Sequence, residues 1–306
     1  MLTDEERQEN LQIARQLHEG AYQKFWDRVQ AAPGDRFELF DYELAHQLTD
    51  APWRTVAGDL VGRELCEVTN LVHQWTLELD RWDLWIDVLG EYQDAQDRWN
   101  IRAEFIEPLA HRCLQAPSHL KDVLIGVATN AAHQASLALT PGYKDRMPSD
   151  SRRVKALAKG RRIFLKRHEA LEQLDELAKP WPSLHPFRKL LDCLDTKDYR
   201  EHTHDYRNRS SHAIPPNFEF GEVGFWMRCV GFREERLRNP DGTLTIKEDV
   251  SRSSVSYSFG GVAPLAIDLT IQHCRGQYDV ARSTYLAYRD FLKEILNQLW
   301  VRTQAG

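Results

Sequence analysis

The sequence predicts a mainly α-helical fold, a helical bundle with an inserted β-hairpin region before its C-terminal helix. Apolar residues recur at intervals of three and four over most of the 306 residues, a spacing that gathers them on one face of a helix. Between about residues 218 and 260 this period gives way to alternation and turn residues, which is typical of strands. With 42% apolar and 28% charged residues, the chain can bury a sizeable core.

Residues 1–50 are predicted to form a helical extension, and residues 51–306 the bundle. A helix is expected over residues 4–31, where Phe25 belongs to an apolar series with a spacing of four. A long helical region follows Pro52, with a break expected near Asp80. We expect the tryptophans of this part to be core residues, because Trp at helical spacing usually packs inside. They are Trp75, Trp82, Trp85 and Trp99.

Further helices are expected in the middle and at the end of the chain. Pro117 should separate one helix from an apolar helix over Val123–Leu139, since proline removes a helical hydrogen bond. One basic helix should run from Asp150 to Ala178, and the last helix from Pro264 to about Val301. In the strand region, Asn239-Pro240-Asp241-Gly242 is a strong turn signal.

Several classes of protein are disfavoured. No window reaches the roughly 18 apolar residues of a membrane span, and the acidic start at Thr3–Glu6 predicts no signal peptide. The five cysteines include no CxxC pair, which favours a reducing, cytoplasmic location over disulfides. Neither a phosphate-binding glycine loop nor a serine-hydrolase elbow is present, so no cofactor is expected.

The sharpest functional signal is the segment Tyr206–His212, which reads Tyr-Arg-Asn-Arg-Ser-Ser-His. The guanidinium of Arg207 is permanently charged and can bind two phosphate oxygens. His212, five positions later, can move a proton to or from a hydroxyl near neutral pH. These two residue types suit phosphodiester chemistry, and a helix or turn is expected to bring them near the same side.

The stretch from Arg207 through Asn208 to His212 resembles the motif of the HEPN superfamily. Its ribonuclease members are helical bundles with an Arg, a following polar residue and a His four to six positions after the Arg. The resemblance implies a metal-independent endoribonuclease in which the RNA 2′-hydroxyl attacks its own phosphate. His212 would be the general acid or base, Arg207 would hold the phosphate, and Asn208 would orient the pair.

The resemblance also implies partners. It predicts an RNA substrate and a homodimer in which two motifs face one cleft. A toxin or defence effector is one form of this function, with an antitoxin protein as a further partner. Additional RNA contacts are expected from Arg209, His204, Arg161 and Arg162.

Two other functions stay open from the sequence. The first is a non-catalytic HEPN-like interaction module that uses the hairpin or the basic helix. The second is a metal-dependent helical-bundle enzyme with ligands among His202, His204, Asp205 and His212, although no recognised metal motif is present. The basic helix is itself ambiguous. It could line an RNA-binding cleft, or its charge could be balanced by the acidic residues from Glu169 onward.

Overall fold

The protein, described here from a computed structural model covering residues 3–31, 39–53 and 56–304, is mostly helical. The predicted mainly helical fold with a hairpin before the last helix is confirmed. The helices of the described ranges are α1 (Asp4–Ala31), α2 (Glu43–Asp50), α3 (Ala57–Leu89), α4 (Ala95–Ile101), α5 (Glu107–Leu139), α6 (Asp150–Leu157), α7 (Arg167–Ala178), α8 (Leu184–Asp192), α9 (Lys197–His202), α10 (Tyr206–His212) and α11 (Ile267–Gln304). One π-helical turn, Arg102–Ile106, joins α4 to α5.

The described chain divides into two compact units. The helical unit extends to Thr203 and resumes at Asp268, so it holds α1 to α9 and nearly all of α11. The small unit is His204–Ile267, with α10 and both strands. Within the helical unit, the Phe25 ring of α1 stacks on Trp85 of α3 at 4.7 Å between centroids.

Helix α3 is the centre of the helical unit. A buried stripe of Val61, Leu65, Val68 and Val72 runs along it, and its Thr69 hydroxyl lies 2.6 Å from the Tyr285 hydroxyl of α11. The break expected near Asp80 is absent, because the helix is continuous from Ala57 to Leu89. Trp82, two residues beyond, is fully buried, so burial of the next apolar turn keeps the helix intact.

Helix α5 corrects a second prediction. Pro117 lies inside the helix and does not end it. A proline in a helix interior costs about 3 kcal/mol, yet the buried stripe continues across it from Leu114 to Leu120 and Leu124. Packing of this stripe, which includes the proline itself, outweighs the lost hydrogen bond.

The predicted basic helix from Asp150 to Ala178 is wrong as one element. Helix α6 ends at Leu157, Gly160 has a φ of +65°, and residues 161–166 are non-helical before α7 begins at Arg167. A positive φ is a conformation that glycine adopts without steric cost, so the break falls on this residue.

The strands β1 (Val223–Arg238) and β2 (Leu244–Val262) form one antiparallel, two-stranded sheet, called the ribbon below. Val223 pairs with Val262 and Arg238 with Leu244, with a bulge after Phe232. The predicted turn is confirmed: the Asn239 N–H donates to the Thr243 carbonyl at 2.8 Å, and Gly242 has a positive φ. The hairpin thus lies close to the predicted 218–260.

The tryptophan predictions are correct at three positions and wrong at the fourth. Trp75, Trp82 and Trp85 are core residues as expected, whereas Trp99 is 48% exposed, so that prediction was wrong. Trp99 lies on the short helix α4, where only Ile101 is buried. Among the described helices, none combines the length and apolar character that crossing a membrane requires.

Candidate functional site on helix α10

The segment singled out by the sequence forms helix α10. His204 and Asp205, both with φ near +50°, turn the chain sharply, and the helix begins at Tyr206. It ends at His212, where Ala213 is extended and the Pro215-Pro216 pair follows. Since proline disfavours a helical conformation in the residue before it, these two residues keep α10 short.

One face of α10 is anchored to the base of the ribbon. Tyr206 is buried, and its ring centroid lies 5.7 Å from that of Phe218. Phe218 is held in turn by a bridge to Leu265. Three positions after Tyr206, the Arg209 guanidinium lies 5.4 Å from the Phe225 ring centroid, a cation–π contact. Residues three apart share a helix face, so Tyr206 and Arg209 define the inner side of α10.

The three motif side chains are all exposed. A helix advances about 100° per residue, which directs Arg207 and Asn208 away from the anchored side, whereas His212 lies at the edge of that side, about 60° from Arg209. Arg207 and His212 are about 140° apart around the axis, wider than the common side expected from the sequence. Asn208 lies one turn before His212 and shares its side more closely.

Hydrogen bonds order the start of this helix but leave two key groups open. The Asn208 amide donates to the Asp205 carboxylate at 3.0 Å. The hydroxyls of Ser210 and Ser211 donate to the Arg207 carbonyl at 3.0 and 3.1 Å. Within the described parts of the chain, neither the Arg207 guanidinium nor the His212 ring has a hydrogen bond or ion pair. A cation and a titratable ring are therefore both available to a ligand.

The other histidines of this region do not join the motif. His204 is half-buried in the small unit. His202 belongs to the helical unit, where its ring centroid lies 4.6 Å from that of His273. Burial, with the charge of the nearby His202, lowers the pKa of His273. No group of three His, Cys, Asp or Glu side chains converges as a metal would need among the residues that the structure describes.

Arg161 and Arg162, the more distant RNA contacts expected from the sequence, lie in the non-helical link between α6 and α7. Both are exposed. They belong to the helical unit, so the predicted RNA-contacting residues are spread over both units.

Sequence reasoning missed the residues that position the motif. The Asp205 carboxylate accepts a hydrogen bond from Asn208. Tyr206 packs against Phe218, and Phe225 makes the cation–π contact with Arg209. Asp205 carries a usable signal, because side chains three positions apart on a helix are neighbours and a carboxylate can accept from an amide there. Phe225 carries no comparable signal, since it is distant in the sequence.

No family model matches the chain, and no curated protein or solved structure matches it either. The geometry of α10 and the chemistry of its side chains are thus the basis for the functional proposal.

Proposed function

We propose that this protein is a metal-independent endoribonuclease of HEPN type, with Arg207, Asn208 and His212 as its catalytic residues. The observation that carries the proposal is the exposure of the motif on α10. All three side chains are exposed, and the guanidinium of Arg207 and the imidazole of His212 have no partner in the described residues.

The proposed reaction needs only these groups and the RNA. The 2′-hydroxyl oxygen bonds to the adjacent phosphorus while the bond from phosphorus to the 5′-oxygen breaks. His212 takes the proton of the 2′-hydroxyl or gives one to the leaving 5′-oxygen. The Arg207 guanidinium neutralises charge on the phosphate oxygens in the transition state. Asn208, held by Asp205, positions the phosphate beside His212. The products are a 2′,3′-cyclic phosphate and a 5′-hydroxyl.

A second copy of the chain completes this proposal. The reaction has two proton transfers, and one His212 ring serves only one of them at a time. A homodimer with two α10 helices facing one cleft would supply a second ring. A role as a toxin or defence effector, silenced by an antitoxin protein, would follow from such an activity.

The test is RNA cleavage in EDTA by the wild type and by variants of α10. His212→Ala and Arg207→Ala should each lower the rate by a factor of about 100 or more, as loss of a proton-transfer group or of transition-state stabilisation does. Ser211→Ala is the matched control, because Ser211 is also exposed on α10 and, among the described residues, its hydroxyl bonds only the Arg207 carbonyl. Wild type that leaves RNA intact, or His212→Ala that cleaves at the wild-type rate, would contradict the proposal.

A specific observation favours a second candidate function, a non-catalytic interaction module built on the ribbon. Directly paired residues of the ribbon place their side chains on one face. The face called the apolar face carries large, exposed side chains: Trp226, Val230, Phe232, Val255, Tyr257 and Phe259. It also carries Arg228, which pairs with Tyr257. The serine face behind it carries Phe225, Met227, Cys229, Ser254, Ser256 and Ser258. An isolated two-stranded hairpin is marginal in water, so the apolar face favours a covering partner.

We propose a second copy of this chain as that partner. Residues 223–262 carry six cations and five anions, Arg228, Arg233, Arg236, Arg238, Lys247 and Arg252 against Glu234, Glu235, Asp241, Glu248 and Asp249. A nearly neutral surface does not attract nucleic acid, whereas two such ribbons can meet without net repulsion. Apolar interface cores are typical of homodimers, and two apolar faces pack directly against each other.

A further inference from the structure

The link between α6 and α7 forms a positively charged surface that the sequence alone left ambiguous. No acidic residue occurs between Asp150 and Glu169. We call residues 153–166 the cationic segment. It contains six cations, namely Arg153, Lys155, Lys159, Arg161, Arg162 and Lys166, and all six are exposed.

The ion pairs of this region stop at the borders of the cationic segment. Before it, Arg152 pairs with Glu169. After it, Arg167 pairs with Asp195 at 2.6 Å and with Asp122. Among the described residues, none of the six cations between them makes an ion pair. Three acidic residues of α7 instead pair outside the segment: Glu169 with Arg152, Asp175 with Arg188 and Glu176 with Lys179.

Exposed apolar side chains lie among these cations. Phe164 is 84% exposed, and Val154 and Leu157 are 64% and 63% exposed. In one continuous helix, Phe164 would have shared the apolar side with the buried Leu174. The break instead directs an aromatic ring into solvent, two residues from Arg162. Proteins that bind single strands combine cations along the backbone with aromatic rings on which bases stack.

We propose that the cationic segment binds single-stranded RNA, with its cations along the phosphates and Phe164 stacked on a base; RNA as the ligand rests on the proposed function. The cationic segment is a positive surface on a chain whose net charge is −6. Because the positive charge is concentrated there, it attracts a polyanion to this one surface. An anionic membrane fits less well. Helix α6 has only eight residues, and membrane-surface helices bury a broad apolar face.

Two substitutions separate the electrostatic part from the stacking part. Binding of a fluorescent oligouridine to His212→Ala protein in EDTA is measured against salt concentration. Arg161→Gln/Arg162→Gln should weaken binding and reduce the salt slope by about 1.4, since each single-strand phosphate contact contributes about 0.7. Phe164→Ser should weaken binding roughly 5- to 150-fold without changing the slope.

The matched control is Arg7→Gln/Arg15→Gln, which removes the same charge from exposed arginines of α1 and should leave binding almost unchanged. The inference would be overturned if His212→Ala protein bound the oligouridine equally well with and without Arg161→Gln/Arg162→Gln or Phe164→Ser, even if the wild-type enzyme cleaves RNA. RNA binding that needs the segment in a protein without cleavage activity would instead refute only the proposed function. If the segment substitutions abolished binding to phosphatidylserine vesicles but left RNA binding unchanged, the ligand would be a membrane and the inference would also be overturned.

Discussion

At the scale of single residues, Asp195 is a buried acid of the helical unit that two arginines hold. Its carboxylate is buried and accepts from Arg167 at 2.6 Å and from Arg200 at 2.7 and 3.0 Å. Burial alone would raise the pKa of Asp195, but the bonds and charges of the two arginines outweigh it and lower that pKa. A carboxylate with a lowered folded-state pKa stabilises the fold above its unfolded pKa.

We predict that Asp195→Asn lowers the free energy of unfolding at pH 7 by about 3 kcal/mol, because two arginines lose a buried counter-charge. The difference from wild type should shrink as the pH falls through the lowered pKa, where the wild-type carboxyl is itself protonated. Urea denaturation at pH 7 and at acidic pH measures both effects.

Asp122→Asn is the control, since it removes another carboxylate from the same Arg167. Asp122 is 45% exposed, against 4% for Asp195, and exposed pairs contribute at most about 1 kcal/mol. Equal losses for Asp122→Asn and Asp195→Asn would contradict the importance of burial here.

The candidate site could be predicted only in part from the sequence. The side-chain chemistry of Arg207, Asn208 and His212 is evident from the sequence alone. The orientation of α10 depends on Tyr206 and Arg209, which contact the rings of Phe218 and Phe225. Because these two rings are distant in the sequence, only the folded small unit shows the contacts.

At the scale of elements, the close approach of α2 and α3 depends on glycine. A Cβ atom on Gly62 would lie 2.8 Å from the Ala45 carbonyl oxygen and would overlap the Thr49 hydroxyl. Neighbouring Gly58 faces the Thr49 carbonyl in the same way, at 2.7 Å. Backbone atoms cannot rotate aside, so the two helices would have to separate.

We predict that Gly62→Ala lowers the free energy of unfolding by about 1–3 kcal/mol, the usual cost of overpacking, although alanine favours a helix over glycine. Gly126→Ala in α5 is the control, because a Cβ there meets nothing within 4 Å. It should stabilise the protein by up to about 1 kcal/mol. Thermal unfolding of both variants shows the sign, and stabilisation by Gly62→Ala would disprove the close packing.

The element boundaries show where sequence patterns mislead. The pattern predicted breaks at Asp80 and Pro117, and α3 and α5 cross both because apolar turns on either side are buried together. It predicted no break at Gly160, where the chain leaves the helix. A local signal is decisive only when packing on both sides agrees with it.

At the scale of the whole molecule, the apolar face of the ribbon predicts self-association. Sedimentation equilibrium of the wild type should show a dimer at micromolar concentration, since the exposed rings of Trp226, Tyr257 and Phe259 are buried on pairing. Trp226→Ser/Tyr257→Ser should shift the protein to the monomer.

Met227→Ser/Cys229→Ser is the control, because these residues lie on the serine face of the same strand. It should leave the dimer intact. A wild type that sediments as a monomer throughout this range, or equal loss of dimer in both double variants, would rule out pairing through the apolar face.

The sequence by itself determined the helical character, the hairpin with its turn, the first helix from residue 4 to 31 and the identity of the motif residues, because these depend on local periodicity and side-chain chemistry. Only the tertiary structure decided that α1 packs on α3, that α10 belongs to a separate small unit with the ribbon, and that the cations of the cationic segment form no ion pair with the residues that the structure describes. These features depend on contacts between residues far apart in the chain, whose energies no local pattern contains.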